Sequence, residues 1–307
     1  MRIVSIFILF YFGVGGVAHG QTQRLIKADP CFKNGWAKEQ YIALRNSDFV
    51  VADSERQVLA KQLSYCLASS EPMLRDDIAY KAYATWLRAG KLSKDTQLWL
   101  FNRFLSDIEE RRNDEYQVYL PFVTLALSEV VRVDRITPYL NARQHQRVVQ
   151  VVSEYMQSLR DYRGFDAKLG WRHGIAHSAD VMLQLILNKQ TTSSHVDLML
   201  KALANQIKPA DAHFYIYGEP ERLAMPVVYA MLREDIKFAD WQTWFADISA
   251  AKPFKDWSQV YKSQSGLAQK HNVKGFLLSL QGMVLPSTHE KLTPFKDLIE
   301  TALSKLN

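Results

Sequence analysis

Cysteine is nearly absent from this 307-residue chain, which holds only Cys31 and Cys66. They do not form a Cys-x-x-Cys pair, so thioredoxin-type redox chemistry is excluded. No Gly-x-Ser-x-Gly nucleophile motif occurs, and no glycine-rich phosphate loop. Glycine and proline, 13 and 10 residues, punctuate the chain but nowhere gather into a linker that would split it. Blocks of one charge sign are also lacking: 38 Lys and Arg stand among 32 Asp and Glu, for a net charge of +6. With no basic stripe and no recognisable module, nucleic acid is not an expected partner. The small positive excess leans instead towards anionic envelope surfaces.

What is present begins with the start of the chain. Arg2 precedes an unbroken apolar run from Ile3 to Val14, followed by the small residues Ala18 and Gly20. This predicts a signal peptide over residues 1–20, cut near Gly20 or Gln21, whose apolar core is too short for a comfortable membrane span. The expectation is an exported protein, in the periplasm, with no transmembrane segment after residue 20 and a single all-helical domain over 21–307. Export would place Cys31 and Cys66 in an oxidising space. A bridge closing a loop of that length would stabilise the fold by about 3–4 kcal/mol; the alternative is two buried free thiols packing as small apolar groups.

Beyond the first residues, apolar side chains recur at helical spacing almost everywhere, and period-two alternation is scarce. The segment "EPMLRDDIAYKAYATWLRAG" gathers the signals: Pro72 in the first turn, Asp76 and Asp77 near the start, Gly90 as the stop, and a stripe of Leu74, Ile78, Tyr80, Ala82, Trp86 and Leu87. Similar blocks follow to "DWQTWFADISAA", separated by a few polar or Gly/Pro residues, as suits antiparallel neighbours. The fold class expected is all-α, an irregular α-solenoid of antiparallel helix hairpins of HEAT or armadillo type. Asn46 to Asp53 reads as a turn between two helices.

One block carries chemistry. A helix expected from about Gly170 to Asn188 places His177 four residues after His173, and Asp180 three further on. At roughly 100° per residue, Asp180 returns to within about 20° of His173. The surrounding residues are apolar, and buried polar groups must find hydrogen bonds, water or a cation. Three readings meet that demand. His173, His177 and Asp180 could ligate a metal, zinc being the cofactor that two imidazoles and a carboxylate suit. A histidine could be a catalytic base oriented by Asp180. Or a satisfied polar network could lock one hairpin to the next. The spacing is that of zinc proteases, yet Gly174 stands where those carry their general-base glutamate. Two flanking segments add candidate binding residues: Asp161, Arg163 and Asp166 around Gly164, with Trp171 at the helix start, and Glu219, Glu221 and Arg222 at the start of a later helix. An Arg222 buried among apolar neighbours is expected to pair with Asp161, Asp166 or Asp180.

The strings "LRDDIAYKAYATWL", "LPFVTLALSEVV", "LRDYRGFDAKLGWRHGIAHSADVM" and "EPERLAMPVVYAML" together resemble the bacterial family catalogued as domain of unknown function 2785. The resemblance runs from about Leu74 to Leu232. It implies an all-helical fold, picks out Arg163, Gly164, Asp166, Gly170, Trp171, His173, His177, Asp180, Glu221 and Arg222, and brings no activity with it. The leading functional expectation is a binding or scaffolding module taking a protein, peptide or envelope component on a concave surface. The alternative is a hydrolase-like enzyme, metal-dependent or histidine-based, that uses His173, His177 and Asp180.

Overall fold

The computed structural model describes residues 29–209 and 211–306, and the expected signal peptide lies outside them. The described chain is all-helical, apart from one two-stranded hairpin. None of its helices is long and apolar enough to cross a membrane. Helices α1 (Lys38–Asn46) and α2 (Asp53–Gln62) flank the expected turn, where Asp48 and Phe49 take positive φ. The Phe49 carbonyl there accepts the Trp86 indole N–H at 2.9 Å. Cys31 and Cys66 form a disulfide. Asp29 reinforces it by accepting the Cys31 amide and the Ser69 hydroxyl, so the first helices close on a fixed base.

The segment read from Pro72 to Gly90 is one continuous helix in two parts, a π-helical stretch Met73–Tyr80 running into α3 (Lys81–Arg88). Then come α4 (Lys94–Glu109), α5 (Tyr119–Ile136) and α6 (Ala142–Ser158), with α7 (Gly174–Ile186), α8 (Ser193–Ile207) and α9 (Glu219–Met231) beyond the hairpin. The end of the chain forms α10 (Phe238–Ile248), α11 (Gln264–Val284) and α12 (Thr293–Ser304). Helices α4, α6 and α8 pack in succession in one layer, and α3, α5, α7, α9 and α11 in the other. Apolar composition explains the order: α5 and α7 are buried around most of their circumference, as a helix flanked on both sides and covered by a second layer must be. One cluster of buried apolar side chains runs from Cys31 to Leu306.

The caps are those the sequence supplies. Asn141 and Gln144 form a capping box on α6, and Thr192 and His195 one on α8. Buried acids serve connections: Asp134 of α5 accepts the Tyr139 and Leu140 amides and the Asn188 side chain, tying two interhelical turns together.

One expected boundary is corrected. The helix read from Gly170 starts at Gly174, and the four residues before it belong to other structure. Phe165–Asp166 (β1) pairs antiparallel with Gly170–Trp171 (β2). Asp166 holds the turn by accepting the Lys168 and Leu169 amides at 2.8 Å, and Gly170 takes the left-handed φ of +67° that the turn requires. The carbonyls of Leu169 and Trp171, which a longer helix would have used, are bound instead by the Arg75 guanidinium.

Candidate functional site

The hairpin delivers its strand into α7 through His173, which takes φ 56° and ψ 36° and so turns the chain before the helix begins. The Arg172 and His173 amides donate to the carbonyls of Gly164 and Arg163, holding the two arms together. Gly164 is required by close approach: a Cβ there would lie 2.1 Å from a ring carbon of Tyr217. That ring belongs to the segment leading into α9, so hairpin, α7 and α9 meet at one point. Trp171 stacks on His173 with centroids 4.7 Å apart and meets Phe165 and Tyr217 edge-on. Phe165 and Trp171 keep much of their surface in solvent, as does Ile216 beside Tyr217.

The two histidines are adjacent, with ring centroids 5.8 Å apart, but they answer to different neighbours. His173 places Nε2 at 3.0 Å from the Tyr217 carbonyl, and His177 places Nδ1 at 3.0 Å from the Pro121 carbonyl. A carbonyl only accepts, so these nitrogens carry the protons and fix the tautomers: Nε2–H on His173, Nδ1–H on His177. Burial lowers the pKa of both, that of His177 strongly, and the nearby Arg222 charge pushes the same way. Glu219, itself buried, sits 3.8 Å from His173 and accepts the Tyr217 amide. Burial raises its pKa.

Asp180 is taken by Arg222. The guanidinium grips the carboxylate through two nitrogens, Nε to Oδ1 at 2.9 Å and Nη2 to Oδ2, across the α7–α9 contact. This is the pairing expected for Arg222. The three residues of the candidate zinc set have separate engagements: a guanidinium lies at Asp180, His177 Nδ1 is spent on a carbonyl, and His173 stands outside the helix. Among the described residues no group of three or more His, Cys, Asp or Glu side chains is arranged to hold a metal ion. Burial pushes the Asp180 carboxyl above its usual range while Arg222 pulls it down.

A second pair of the same kind lies next along the layer. Arg88 of α3 donates through Nε at 2.9 Å and through Nη2 to buried Glu129 of α5, and the Tyr80 hydroxyl donates to the same carboxylate at 3.3 Å. Glu129 is close enough to Asp180 for its charge to raise the Asp180 pKa. Burial and Glu129 together push the Tyr80 hydroxyl up to about 12. The exposed face of the layer thus carries two arginine heads, each held from below by a carboxylate on the next helix.

The remaining sequence candidates fall elsewhere. Arg163 pairs bidentately with Asp161 and reaches Gln117, Asp166 is spent on the hairpin turn, and Glu221 is exposed at the start of α9. None of the three bonds His173, His177 or Asp180 through its side chain; Arg163 meets His173 through its backbone carbonyl alone. Sequence reasoning did not single out Glu129, Arg88 or Arg75. A charged residue inside an apolar stripe is the signal two of them offer: Glu129 lies between Ser128 and Val130 on a largely buried helix, and Arg75 between Leu74 and Ile78, whereas Arg88 is exposed at the end of α3.

The model of the family described as protein of unknown function (DUF2785) matches residues 104–281. The chain belongs to this family. The matched DUF2785 region opens inside α4 and closes inside α11, so it contains the hairpin, α5, α7 and α9. The segment at Leu74 precedes the matched region, which runs past Leu232. The disulfide and Arg75 lie outside it, so the hairpin of the family region is held by a side chain from beyond that region. No curated protein and no solved structure matches the chain.

Proposed function

We propose that the chain is an exported binding module of the DUF2785 family, taking an extended ligand on the exposed face of the α3–α5–α7–α9 layer. The observation that carries this reading is the row of Arg88 and Arg222, each backed by a carboxylate, beside the half-exposed aromatics Trp171 and Phe165. Arginine fixed in advance loses little side-chain freedom on binding, and an exposed indole offers apolar area with a polar edge, so the two suit a peptide or an envelope component with acidic groups. The succession of antiparallel helices in two layers supports an irregular solenoid of HEAT or armadillo type. The disulfide supports an oxidising destination, and the apolar start of the sequence supports export to the periplasm with a mature chain beginning near Gln21.

The test is titration of the intact protein with acidic and neutral peptides and with soluble envelope fragments, read by tryptophan fluorescence. Saturable binding that weakens in Trp171→Ala and in Arg222→Gln is the expected result. Binding unchanged in both variants would remove the face from consideration. One observation favours a second reading, a histidine-based hydrolase: His173 lies near buried Glu219 and keeps Nδ1 uncommitted. Turnover of an ester or amide panel that is lost in His173→Gln and retained in Trp171→Ala would establish that reading instead.

A further inference from the structure

A cavity of about 180 Å³ opens on the other side of the α7 start, between the ends of α4 and α6 and the beginning of α5. Three arginines line it, Arg111, Arg160 and Arg172, together with Gly174, the first residue of α7. Arg172 is the unusual one. It is 5% exposed. Its Nε donates to the Tyr116 carbonyl at 3.1 Å, and its two terminal nitrogens have no acceptor among the described residues. A guanidinium carries five donors, and Arg172 spends one of them within the fold; Asp161 and Asp166 are near enough for its charge to lower their pKa, but neither carboxylate takes a hydrogen bond from it, so four donors are left for a bound anion.

The backbone points the same way. The first amide of α7 with a carbonyl partner is that of His177, and no side chain caps the helix. The amides of Gly174, Ile175 and Ala176 are therefore left at the positive end of a 13-residue helix. The neighbouring α5 shows the contrast: Asp114 accepts the Val118 and Tyr119 amides at 2.7 Å, and that helix start is satisfied. The one acid on the cavity wall, Asp161, is already held by both arms of Arg163. Arg111 lies over the Tyr155 ring and Arg160 bonds the carbonyls that end α6, so both are positioned and keep further donors for a guest.

We infer that this cavity is a binding site for a small oxyanion group, phosphate, sulfate or carboxylate, held by the Arg172 fork and the first amides of α7 with Arg111 and Arg160 at the rim. The volume admits one such group and is smaller than the several hundred Å³ of sites that enclose drug-sized ligands. The anion is therefore either free or the terminus of a larger molecule. The site uses none of Trp171, Asp180 or Arg222, so it stands or falls independently of the face proposed above.

The experiment is thermal unfolding of the intact protein against inorganic phosphate and, separately, acetate, with ionic strength held constant by sodium chloride. Binding to the folded state raises Tm with the logarithm of anion concentration. The expected result is such a rise with at least one anion, with affinity reduced about tenfold or more in Arg160→Gln and in Arg111→Gln, since each removes charge-assisted donors. Both residues are exposed at the rim, so these variants are expected to fold even if substitutions at Arg172 do not. Arg172→Lys, which keeps the charge and loses the fork, should weaken binding as well. A stronger response to phosphate assigns a phosphoryl or sulfate group, and an equal or stronger response to acetate assigns a carboxylate. The inference fails if neither anion shifts Tm beyond chloride, or if the shift persists unchanged in both rim variants.

Discussion

Two arginines bracket the α7 start, and they are held in opposite ways. Arg75 is fully buried; it donates to the carbonyls of Ser69, Leu169 and Trp171, pairs with Asp76 and lies 4.4 Å from the Phe122 ring centre. Arg222 has 40% of its side chain in solvent and one partner, Asp180. The first has used its donors on backbone that no other group could satisfy. The second keeps a face open to whatever approaches. Burial divides the polar residues of this region into those that build it and those that remain available to it, and charge alone would not have separated them.

Breaking the buried arrangement should cost most. Arg75→Met leaves Asp76 without its cation and the hairpin carbonyls without donors, and removing one partner of a buried charged group typically costs about 3–5 kcal/mol. Burial already raises the Asp76 pKa, to about 6 even with Arg75 beside it, so the orphaned carboxylate has no inexpensive ionised state. Denaturant melts at pH 7 measure the loss. A loss below about 1 kcal/mol, the range of an exposed ion pair, would put Arg75 in the same class as Arg222.

Gly164→Ala tests the next contact outwards. The new methyl would overlap the Tyr217 ring, and overpacking of this kind costs about 1–3 kcal/mol. Since the Tyr217 carbonyl holds His173 and its amide holds Glu219, the ring cannot move without loosening both. Stability by urea melt and the His173 imidazole resonance should therefore change together.

These residues also show what the sequence discloses. The helices, their caps and the turn at Asn46 to Asp53 are local patterns, and periodicity and capping chemistry read them directly. Arg222 with Asp180 was legible because a charge stood in an apolar run within reach of a short list of acids. The hairpin was not: strands of two residues are too short to show a period, and its geometry is set by Arg75, 94 positions before the Leu169 carbonyl it binds. His173 and His177 looked equivalent on a helical wheel, but the left-handed turn at His173 removes it from the helix and gives it a partner on the α9 side. Helix α11 carries a weak stripe because it buries Gln269 and Asn272, which serve loop carbonyls and the Tyr215 amide, so its amphipathic signal is diluted.

His177 supplies a pH test of intermediate size. Its folded pKa lies well below the ordinary imidazole value, because burial disfavours the cation and His173 and Arg222 add to that. The neutral ring therefore contributes its full stability above about pH 6.5; as pH falls below that value the unfolded chain takes up a proton that the fold refuses, at up to ~1.4 kcal/mol per pH unit. Asp76 works in the opposite sense. Its raised pKa means that the fold gains stability as pH falls below about 6. Comparing wild type with His177→Asn, which retains a donor for the Pro121 carbonyl, cancels the carboxylates. The stability gap between them should narrow by about 1–2 kcal/mol from pH 7 to pH 5. A constant gap would mean that His177 is protonated in the fold or reached by water.

The smallest effect, and the one that sharpens the comparison of arginines most, is the coupling across the exposed face. Asp180 and Arg222 make a bidentate contact, but solvent reaches the guanidinium and screens it, so a double-mutant cycle with Asp180→Asn and Arg222→Gln should return only about 0.5–1 kcal/mol. The same cycle between His173→Ala and Asp180→Asn should be additive within about 0.5 kcal/mol, because the imidazole bonds the Tyr217 carbonyl and the carboxylate bonds Arg222, with no shared partner between them. Urea melts of the single and double variants give both couplings. A His173–Asp180 coupling larger than the Asp180–Arg222 one would restore the single site that their helical spacing suggested, and would require the two side chains to meet through a group that joins them.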